Sequence, residues 1–428
     1  MASDVTPPRG MRDFLPLEKA KREAVLGIIR AGYIARGFEE IETPVVEDAA
    51  RLHSGLGGDN EKLAFGILRR GLEQSDLDAA AAAGSAEGLA DLGLRFDLTV
   101  PLARYYATNR AKLPGVFKAL QIAPVWRAER PQKGRYRQFV QCDIDIIGEP
   151  SALAEVELIA ATAATLTELG IAGARIRINH RRILRTMLAS WGIADDGVDR
   201  ALVIVDKEDK IGVSGVVAEL VDLGLLPFAD ADRAAADLGG LPDDGWGLDA
   251  ASAPAWLDLD AYREIHAIRD AVAAAAPGVP LVFSHNLVRG MGYYTGAIFE
   301  IQHPEFGYSL GGGGRYDGMI GRFLGEEVPA AGFSIGFERI VDLVPASAAH
   351  PASLVLLHDA AADPGALVKL QGALLAEGRR VRLEKRAKNL RPQLERLAVA
   401  GYSTFAVLDS AALAAGLDAS ALDIKPLH

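Results

Sequence analysis

From Val140 to Ile146 the chain reads Val-Gln-Cys-Asp-Ile-Asp-Ile, a strict apolar–polar alternation. A repeat of two is that of a β-strand, so Gln141, Asp143 and Asp145 share one face and Val140, Cys142, Ile144 and Ile146 the other. Just before it, residues 127–137 carry Arg127, Arg130, Lys133, Arg135 and Arg137. Taken alone, the alternation fits an edge or half-exposed strand with one solvated face. The basic loop brings in a second reading. Anion-binding arginines beside a carboxylate-lined strand suit a ligand with phosphates at one end and a cation at the other, such as ATP together with an amino acid.

Two further segments point the same way. In Leu94-Arg-Phe-Asp-Leu-Thr-Val-Pro101, the residues Arg95, Asp97 and Thr99 alternate with Leu94, Phe96 and Leu98, which predicts a second strand with one polar face. Downstream, Gly311-Gly-Gly-Gly-Arg-Tyr-Asp-Gly318 precedes Gly332-Phe-Ser-Ile-Gly-Phe-Glu-Arg-Ile340. Glycines let a backbone come close to a flat ring or to phosphates, although a glycine cluster more often marks a loop. Arg339, after a small-residue strand and at the opening of a helix, can meet phosphate or lie over a base. No Gly-Lys-Ser/Thr follows, so this is not a P-loop.

Composition narrows the classes. At 428 residues the chain can form two or three domains with separate cores. Half of it is hydrophobic, yet no apolar run reaches the roughly 18 residues of a membrane span, and no signal peptide is read, so a cytoplasmic protein is expected. The single cysteine, Cys142, excludes an internal disulfide and a cysteine-cluster metal site. Its place on the apolar face suggests a buried structural thiol rather than a nucleophile. The eight histidines show no HExxH-like spacing, so no zinc site is expected.

Periodicity predicts an amphipathic helix over 17–36 with Ile28, Ile29 and Tyr33 inward. A helix over 152–169 should end at Gly170. The Ala- and Gly-rich segment 75–92 reads as a loop or hairpin arm. Strands near 94–99, 121–127, 137–147, 297–303 and 331–336 would build an antiparallel sheet flanked by helices, an α+β domain. Residues of about 190–275 read as helical and acidic, with a loop at 239–245. After a linker at 345–351, strands at 353–357, 380–384, 404–408 and near 422–427 alternate with helices at 365–377 and 390–400. That implies a small α/β unit, and no GxGxxG follows its first strand.

Residues 127–139 resemble motif 2 of the class II aminoacyl-tRNA synthetases, Gly336-Phe-Glu-Arg339 resembles their motif 3, and Gly37-Phe-Glu-Glu-Ile-Glu-Thr-Pro44 their motif 1. Leu287-Val-Arg-Gly-Met-Gly-Tyr-Tyr-Thr-Gly296 is similar to a motif peculiar to the histidyl-tRNA synthetase family, and the resemblance runs from Pro8 nearly to the C-terminus. It implies a class II catalytic core over 1–345, interrupted by an insertion at about 190–275, and an anticodon-binding domain over 352–428. The implied reaction is activation of L-histidine by ATP with Mg²⁺, then transfer to tRNA(His), in a homodimer with the motif-1 proline at its interface.

Carried over residue by residue, Arg127, Arg289 and Arg339 would be catalytic. Asp97, Thr99, Gln141, Asp145, Tyr293 and Tyr294 would bind histidine. Arg127, Glu129, Arg135, Phe139 and Arg339 would bind ATP, with Phe139 on adenine, while Arg130 and Gln132 would meet the tRNA acceptor end. Asp143 reads as a support for its neighbours. Two departures stand out. Gly292 replaces the family's usual Asp, which removes a carboxylate beside Arg289 and Tyr294. Asp145 replaces a frequent Glu, so it would need a water or a closer approach to the imidazole.

The net charge of −11 is unusual for a tRNA binder, so local basic segments, the motif-2 loop and residues 378–391, would carry that contact. The second of these also fits a solvated helix and strand surface. Two other functions stay open. One is a non-catalytic paralogue serving as regulatory subunit of ATP phosphoribosyltransferase, which would have lost the motif arginines and the anticodon-binding domain. The other is an amino-acid-activating paralogue with a different acceptor, to which Gly292 and Asp145 are relevant.

Overall fold

The computed structural model describes residues 5–53, 63–132, 134–241, 245–289, 293–344 and 353–427. The chain divides into two compact units, residues 1–12 with 27–344, and residues 13–26 with 345–428. The expected linker at 345–351 and residues 242–244 of the expected loop at 239–245 lie outside the described residues.

Helix α1 (Pro16–Ile34) begins on a proline, which fits a first turn that lacks hydrogen-bond partners anyway. Ile29 and Tyr33 are fully buried, while Ile28 is only half-buried. β1 (Glu39–Glu40) follows. β2 (Val46–Asp48), α2 (Ala49–His53), β3 (Phe65–Leu68), α3 (Gln74–Ala83) and β4 (Ala90–Leu94) then form an outlying antiparallel sheet of order β2-β4-β3 with its helices.

Two expectations fail in this stretch. The segment read as a loop or hairpin arm contains α3, because alanine is the strongest helix former and both ends carry stop signals. Glu73 and Asp76 form a reciprocal capping box, and Gly84 closes the helix at φ 60°. The strand expected at 94–99 ends at Leu94. Beyond it Asp97 accepts the Val100 N–H (3.2 Å), and α4 (Thr99–Asn109) starts with Pro101 in its first turn. The alternation there was that of an irregular segment buried on both sides: Arg95, Phe96, Asp97 and Leu98 are all buried.

β5 (Phe117–Trp126) starts earlier than expected and pairs along its whole length with β6 (Gln138–Ile147), so the basic loop is the turn of a long hairpin. α5 (Leu153–Glu168) and β7 (Arg175–His180) follow. The next stretch is helical, with α6 (Arg181–Ser190), α7 (Val198–Val205), α8 (Glu208–Asp222), α9 (Ala231–Gly239) and α10 (Leu259–Ala275). The chain returns through β8 (Leu281–Phe283), β9 (Ala297–Gln302), β10 (Gly311–Arg315), α11 (Asp317–Leu324), β11 (Ala330–Gly336) and α12 (Phe337–Leu343).

Among the described residues these strands make an eight-stranded sheet of order β1-β5-β6-β11-β10-β9-β7-β8. It is antiparallel except for its outer pairs, β1·β5 and β7·β8, which are parallel. β6 is therefore interior, and not the edge strand its alternation allowed. Cys142 is fully buried on its apolar face.

β10 is absent from the expected strands: the glycine cluster, whose commoner reading is a loop, forms an interior strand. Its neighbours explain the composition: a Cβ on Gly312 would stand 2.7 Å from the Phe299 carbonyl oxygen and 2.6 Å from the Arg289 guanidinium.

The second unit carries β12 (Ser353–His358), α13 (Pro364–Ala376), β13 (Arg380–Lys385), α14 (Leu390–Val399), β14 (Thr404–Val407), α15 (Ser410–Ala414) and β15 (Lys425–Pro426). Its sheet has the order β13-β12-β14-β15 and is parallel except for the last pair. β12 is apolar on both faces because both are covered. Leu354 and Leu356 pack with Leu370 and Leu374 of α13, while Val355 and Leu357 pack with Leu397 of α14.

One buried ion pair locks the main sheet to its covering helix. Arg315, at the end of β10, donates from Nε and NH2 to both oxygens of Glu155 on α5, each at 2.7 Å, and Glu155 is fully buried. Glu155→Ala leaves buried Arg315 with only Asp317 Oδ1, at 3.2 Å, as ionic partner, so the stability of this unit should fall by about 3 kcal/mol. Urea titration followed by tryptophan fluorescence measures this; a loss below about 1 kcal/mol would mean that water already shields the pair.

Candidate active site

The sheet pairings set the floor of a cavity of about 430 Å³. β6 lies between β5 and β11, with Gln141 opposite Gly336, Asp143 opposite Ser334 and Asp145 opposite Gly332. These three side chains are buried. The Gln141 amide donates to Ser334 Oγ at 3.1 Å and to the Asp143 carboxylate at 3.2 Å. Gly332 is required opposite Asp145, because a Cβ there would overlap the Asp145 carboxylate.

Among the described residues, two acceptors on this floor have no partner. Asp97 Oδ2 and Gln141 Oε1 are buried without a hydrogen bond, and both residues line the cavity together with Thr99. Buried acceptors are costly to leave unpaired, so the pair marks where a donor, best a cation, belongs.

Electrostatics agree with that. Burial lifts the Asp97 carboxyl to about 6 against the opposing pull of the Val100 N–H and Arg127. Burial also lifts Asp145 to about 7, with the Tyr316 hydroxyl opposing and Asp97 adding to the rise. Asp143 is pushed well above the usual carboxylate range by burial and by Asp145. A bound cation would relieve all three.

Above the floor stands an aromatic wall. The rings of Tyr293 and Tyr294 lie 4.7 Å apart, and Tyr293 meets Tyr316 edge-on at 6.0 Å. Tyr316 donates its hydroxyl to Asp145 Oδ1. This residue belongs to the glycine-rich segment but was not singled out. Its signal was the polar–apolar step after Gly314, which becomes visible once that segment is known to be a strand.

Three cations reach the cavity from three separate segments. Arg127, at the start of the hairpin turn, donates to the Phe96 carbonyl (3.0 Å) and lies 5.1 Å from the Phe139 ring centre. Arg289 donates to Glu300 Oε2 at 2.9 Å; burial works against its charge, but Tyr294 and Glu300 outweigh it and raise its pKa. Arg339 donates to the Ser309 and Gly134 carbonyls and stacks 4.8 Å from the Tyr308 ring. Burial and neighbouring Arg135 lower the Arg339 pKa. Arg127 and Arg339 are held by carbonyl oxygens and rings that phosphate oxygens can replace, whereas Arg289 keeps a carboxylate partner.

Glu129 and Arg135 also line the cavity, paired with each other at 3.2 Å. Arg130 and Gln132 do not: both are exposed on the turn, which is pinched by reciprocal backbone bonds between Gln132 and Arg135. Glu338, which the sequence reading passed over, braces the wall by accepting from Arg12 and from the Val140 N–H. Gly292 lies outside the described residues.

A largely antiparallel sheet with a motif-2 hairpin and a helix-start arginine over one cavity is the catalytic fold of class II aminoacyl-tRNA synthetases. The histidyl-tRNA synthetase family matches residues 10–340, and the chain belongs to that family. A histidine–tRNA ligase from Leifsonia xyli subsp. xyli is 59% identical, with 100% of this chain and 99% of the relative aligned. A probable histidine–tRNA ligase from Tropheryma whipplei is 41% identical, with 99% of each aligned. Among solved structures, a histidyl-tRNA synthetase from a Nostoc species matches with TM-score 0.75 and 26% identity over 99% of this chain and 97% of that one. An ATP phosphoribosyltransferase regulatory subunit/histidyl-tRNA synthetase from Bacillus halodurans shares the fold at TM-score 0.71 and 21% identity, over 92% and 97% of the two chains.

The Asp97 titration has a measurable consequence. Folding raises its pKa, so its contribution to stability is complete below about pH 4 and is lost as pH rises through about 6. Asp97→Asn keeps the acceptor for Val100 and removes the titration. In the ligand-free protein the variant should gain on the wild type between about pH 4.5 and pH 7, by up to about 3 kcal/mol. Calorimetric Tm values across that range test it; a constant difference would assign Asp97 an ordinary carboxylate pKa.

Proposed function

We propose that this chain is a histidine–tRNA ligase that joins L-histidine to ATP as histidyl-adenylate, releases pyrophosphate, and passes the histidyl group to the 3′ end of tRNA(His). The observation that carries the chemistry is the convergence of Arg127, Arg289 and Arg339 on one cavity whose floor presents unpaired buried acceptors. The close relatives named as histidine–tRNA ligases support the substrate.

The amino acid's carboxylate is already ionised, so the reaction needs alignment and charge stabilisation rather than a protein nucleophile. Arg127 bridges that carboxylate and the α-phosphate, and Arg289 meets the α-phosphate from the opposite segment. As the carboxylate oxygen bonds to phosphorus, the bond to pyrophosphate breaks, and charge grows on oxygens that Arg339 and Arg135 face. Fixed guanidinium forks suit this work because their charge is permanent. Phe139 supports the adenine, and Glu129, once released from Arg135, is free to meet the nucleotide.

The α-ammonium of histidine sits at Asp97 Oδ2 and Gln141 Oε1, beside Thr99, where it fills the vacant donor position. Asp145 receives one imidazole N–H, oriented by Tyr316, and Tyr294 takes the other nitrogen beside Tyr293. An apolar side chain in this place would leave those groups unpaired, which is a strong basis for rejection.

Among the described residues no group of three or more His, Cys, Asp or Glu side chains could hold a metal ion. Glu129, once released from Arg135, would fit a Mg²⁺ carried mainly by phosphate oxygens and water. Bound in that way, Mg²⁺ would neutralise charge on the phosphates of ATP.

Partners follow by the same reasoning. Arg130 and Gln132, exposed on the hairpin turn, meet the acceptor end of tRNA. The C-terminal unit reads the anticodon, with Arg380 and Arg382 stacked on Tyr402 at 5.0 and 6.0 Å as part of its basic surface. The enzyme works as a homodimer in the cytoplasm, with Pro44 at the interface. Among the described residues no helix is long and apolar enough to cross a membrane.

ATP–pyrophosphate exchange with each of the twenty amino acids tests the reading. Exchange should occur with histidine alone, and Arg289→Ala should reduce it by about 100-fold or more. No exchange with any amino acid would transfer the weight to a non-catalytic role. Gly332→Ala, which pushes on Asp145, should raise KM for histidine by about tenfold or more while leaving KM for ATP within about twofold. Equal effects on both substrates would remove Asp145 from the imidazole subsite.

A further inference from the structure

At the cavity Arg289 donates to Glu300 Oε2 at 2.9 Å, and Asp206 in the cavity lining adds a second negative charge to its field. Glu300 lies on β9, and its cross-strand neighbour on β7 is Arg177. The NH1 of Arg177 stands 3.7 Å from the other oxygen of Glu300, so one carboxylate lies between two guanidiniums. Arg177 is not among the residues lining the main cavity. It lines a smaller one of about 40 Å³ behind Arg289, together with Glu300, Glu208 and Asn286.

Two of the three guanidinium nitrogens of Arg177 are hydrogen-bonded, and the third, besides facing Glu300, lies 3.9 Å from Asp209 Oδ2. Nε donates to Ser284 Oγ at 3.0 Å, and NH2 donates to Asn286 Oδ1 at 3.1 Å. Asn286 in turn donates from Nδ2 to both oxygens of Glu208, at 3.0 and 3.1 Å. Glu208 is the first residue of α8, so the helical stretch after β7 contributes to the anchorage. Arg177 is only 11% exposed, and a buried arginine with this many directed bonds is held in one orientation.

We propose that Arg177 is a positioning residue for the adenylation step: it shares the Glu300 carboxylate with Arg289, so that Glu300 aims Arg289 into the cavity without neutralising it. The inference rests on the ligase reading above. With Arg177 present, Glu300 divides its charge between two cations, and Arg289 retains the positive field that a growing charge at phosphorus requires. Without Arg177, the whole carboxylate falls on Arg289, tethering it and cancelling the field. Because Arg289 acts on the transition state, the loss belongs in kcat and not in substrate affinity.

The test is steady-state pyrophosphate exchange with histidine by the full-length wild type and three variants. Arg177→Met keeps the length of the stem without charge, and should lower kcat by about tenfold or more, with KM for histidine and ATP within about twofold. Arg177→Lys restores a charge beside Glu300 and should recover most of that loss. Packing alone would predict the reverse order, with Met tolerated and Lys no better. Asn286→Ala leaves Arg177 in place but removes its NH2 acceptor, and should lower kcat by about two- to fivefold; it serves as the reporter if Arg177→Met does not fold. Undiminished kcat in Arg177→Met, or in Asn286→Ala where that is the reporter, overturns the inference alone, as does equal impairment of the Lys and Met variants. A wild type without histidine-dependent exchange overturns the ligase reading and this inference with it.

Discussion

Asp97, Asp143 and Asp145 lie out of water within one field, and the architecture of the larger unit is arranged around what that costs. Isolated carboxylates in such a place would protonate or force the site open. Here each has limited relief: a backbone N–H for Asp97, the Gln141 amide for Asp143, and the Tyr316 hydroxyl for Asp145. Full relief comes only from a cation. The same constraint explains the small residues around them. Gly332 must be glycine because β6 and β11 bring it against Asp145, and Gly312 must be glycine because Arg289 passes over it. Burial, register and composition are thus one problem solved together.

The arginines form the complementary half. Arg127, Arg289 and Arg339 are parked on carbonyl oxygens, a shared carboxylate and aromatic rings. The contacts to carbonyl oxygens and rings hold a guanidinium in place but are weaker than a bidentate bond to phosphate. Such a site spends little on reorganisation when an anion arrives, which is the physical content of electrostatic preorganisation. It also explains why the cavity needs no nucleophile and why the single cysteine can be buried with its face of β6 in the core.

Legibility in the sequence varied with how local the cause was. The alternation of β6 was readable because a period of two survives wherever a strand has unlike faces. A similar alternation over 94–99 misled, because a buried irregular segment can alternate too; Asp97 followed by Pro101 was the better sign, pointing to a helix start. The alanine-rich 75–92 stretch looked featureless, yet alanine needs no packing to favour a helix, and the Glu73–Asp76 box marked its beginning. The four glycines of β10 read more readily as a loop because glycine disfavours strands. Their reason is the crowding by β9, β11 and Arg289, none of which is adjacent in the chain. Tyr316 and Glu338 were overlooked for the same cause: their partners, Asp145 and Arg12, lie far away in sequence.

The sequence by itself determined which chemical groups are available and where they lie along strands and helix starts: the arginines of the hairpin and of α12, the polar face of β6, the apolar runs of the C-terminal unit. These follow from periodicity, charge and local propensity, which act over a few residues. Only the tertiary structure decided that Asp97 joins that face from outside the sheet, that Gln141 and Asp97 keep an acceptor vacant, and that Arg177 stands behind Glu300. Those outcomes depend on strand order and register, and register is set by the burial of whole faces at once, a balance that no short window of residues contains.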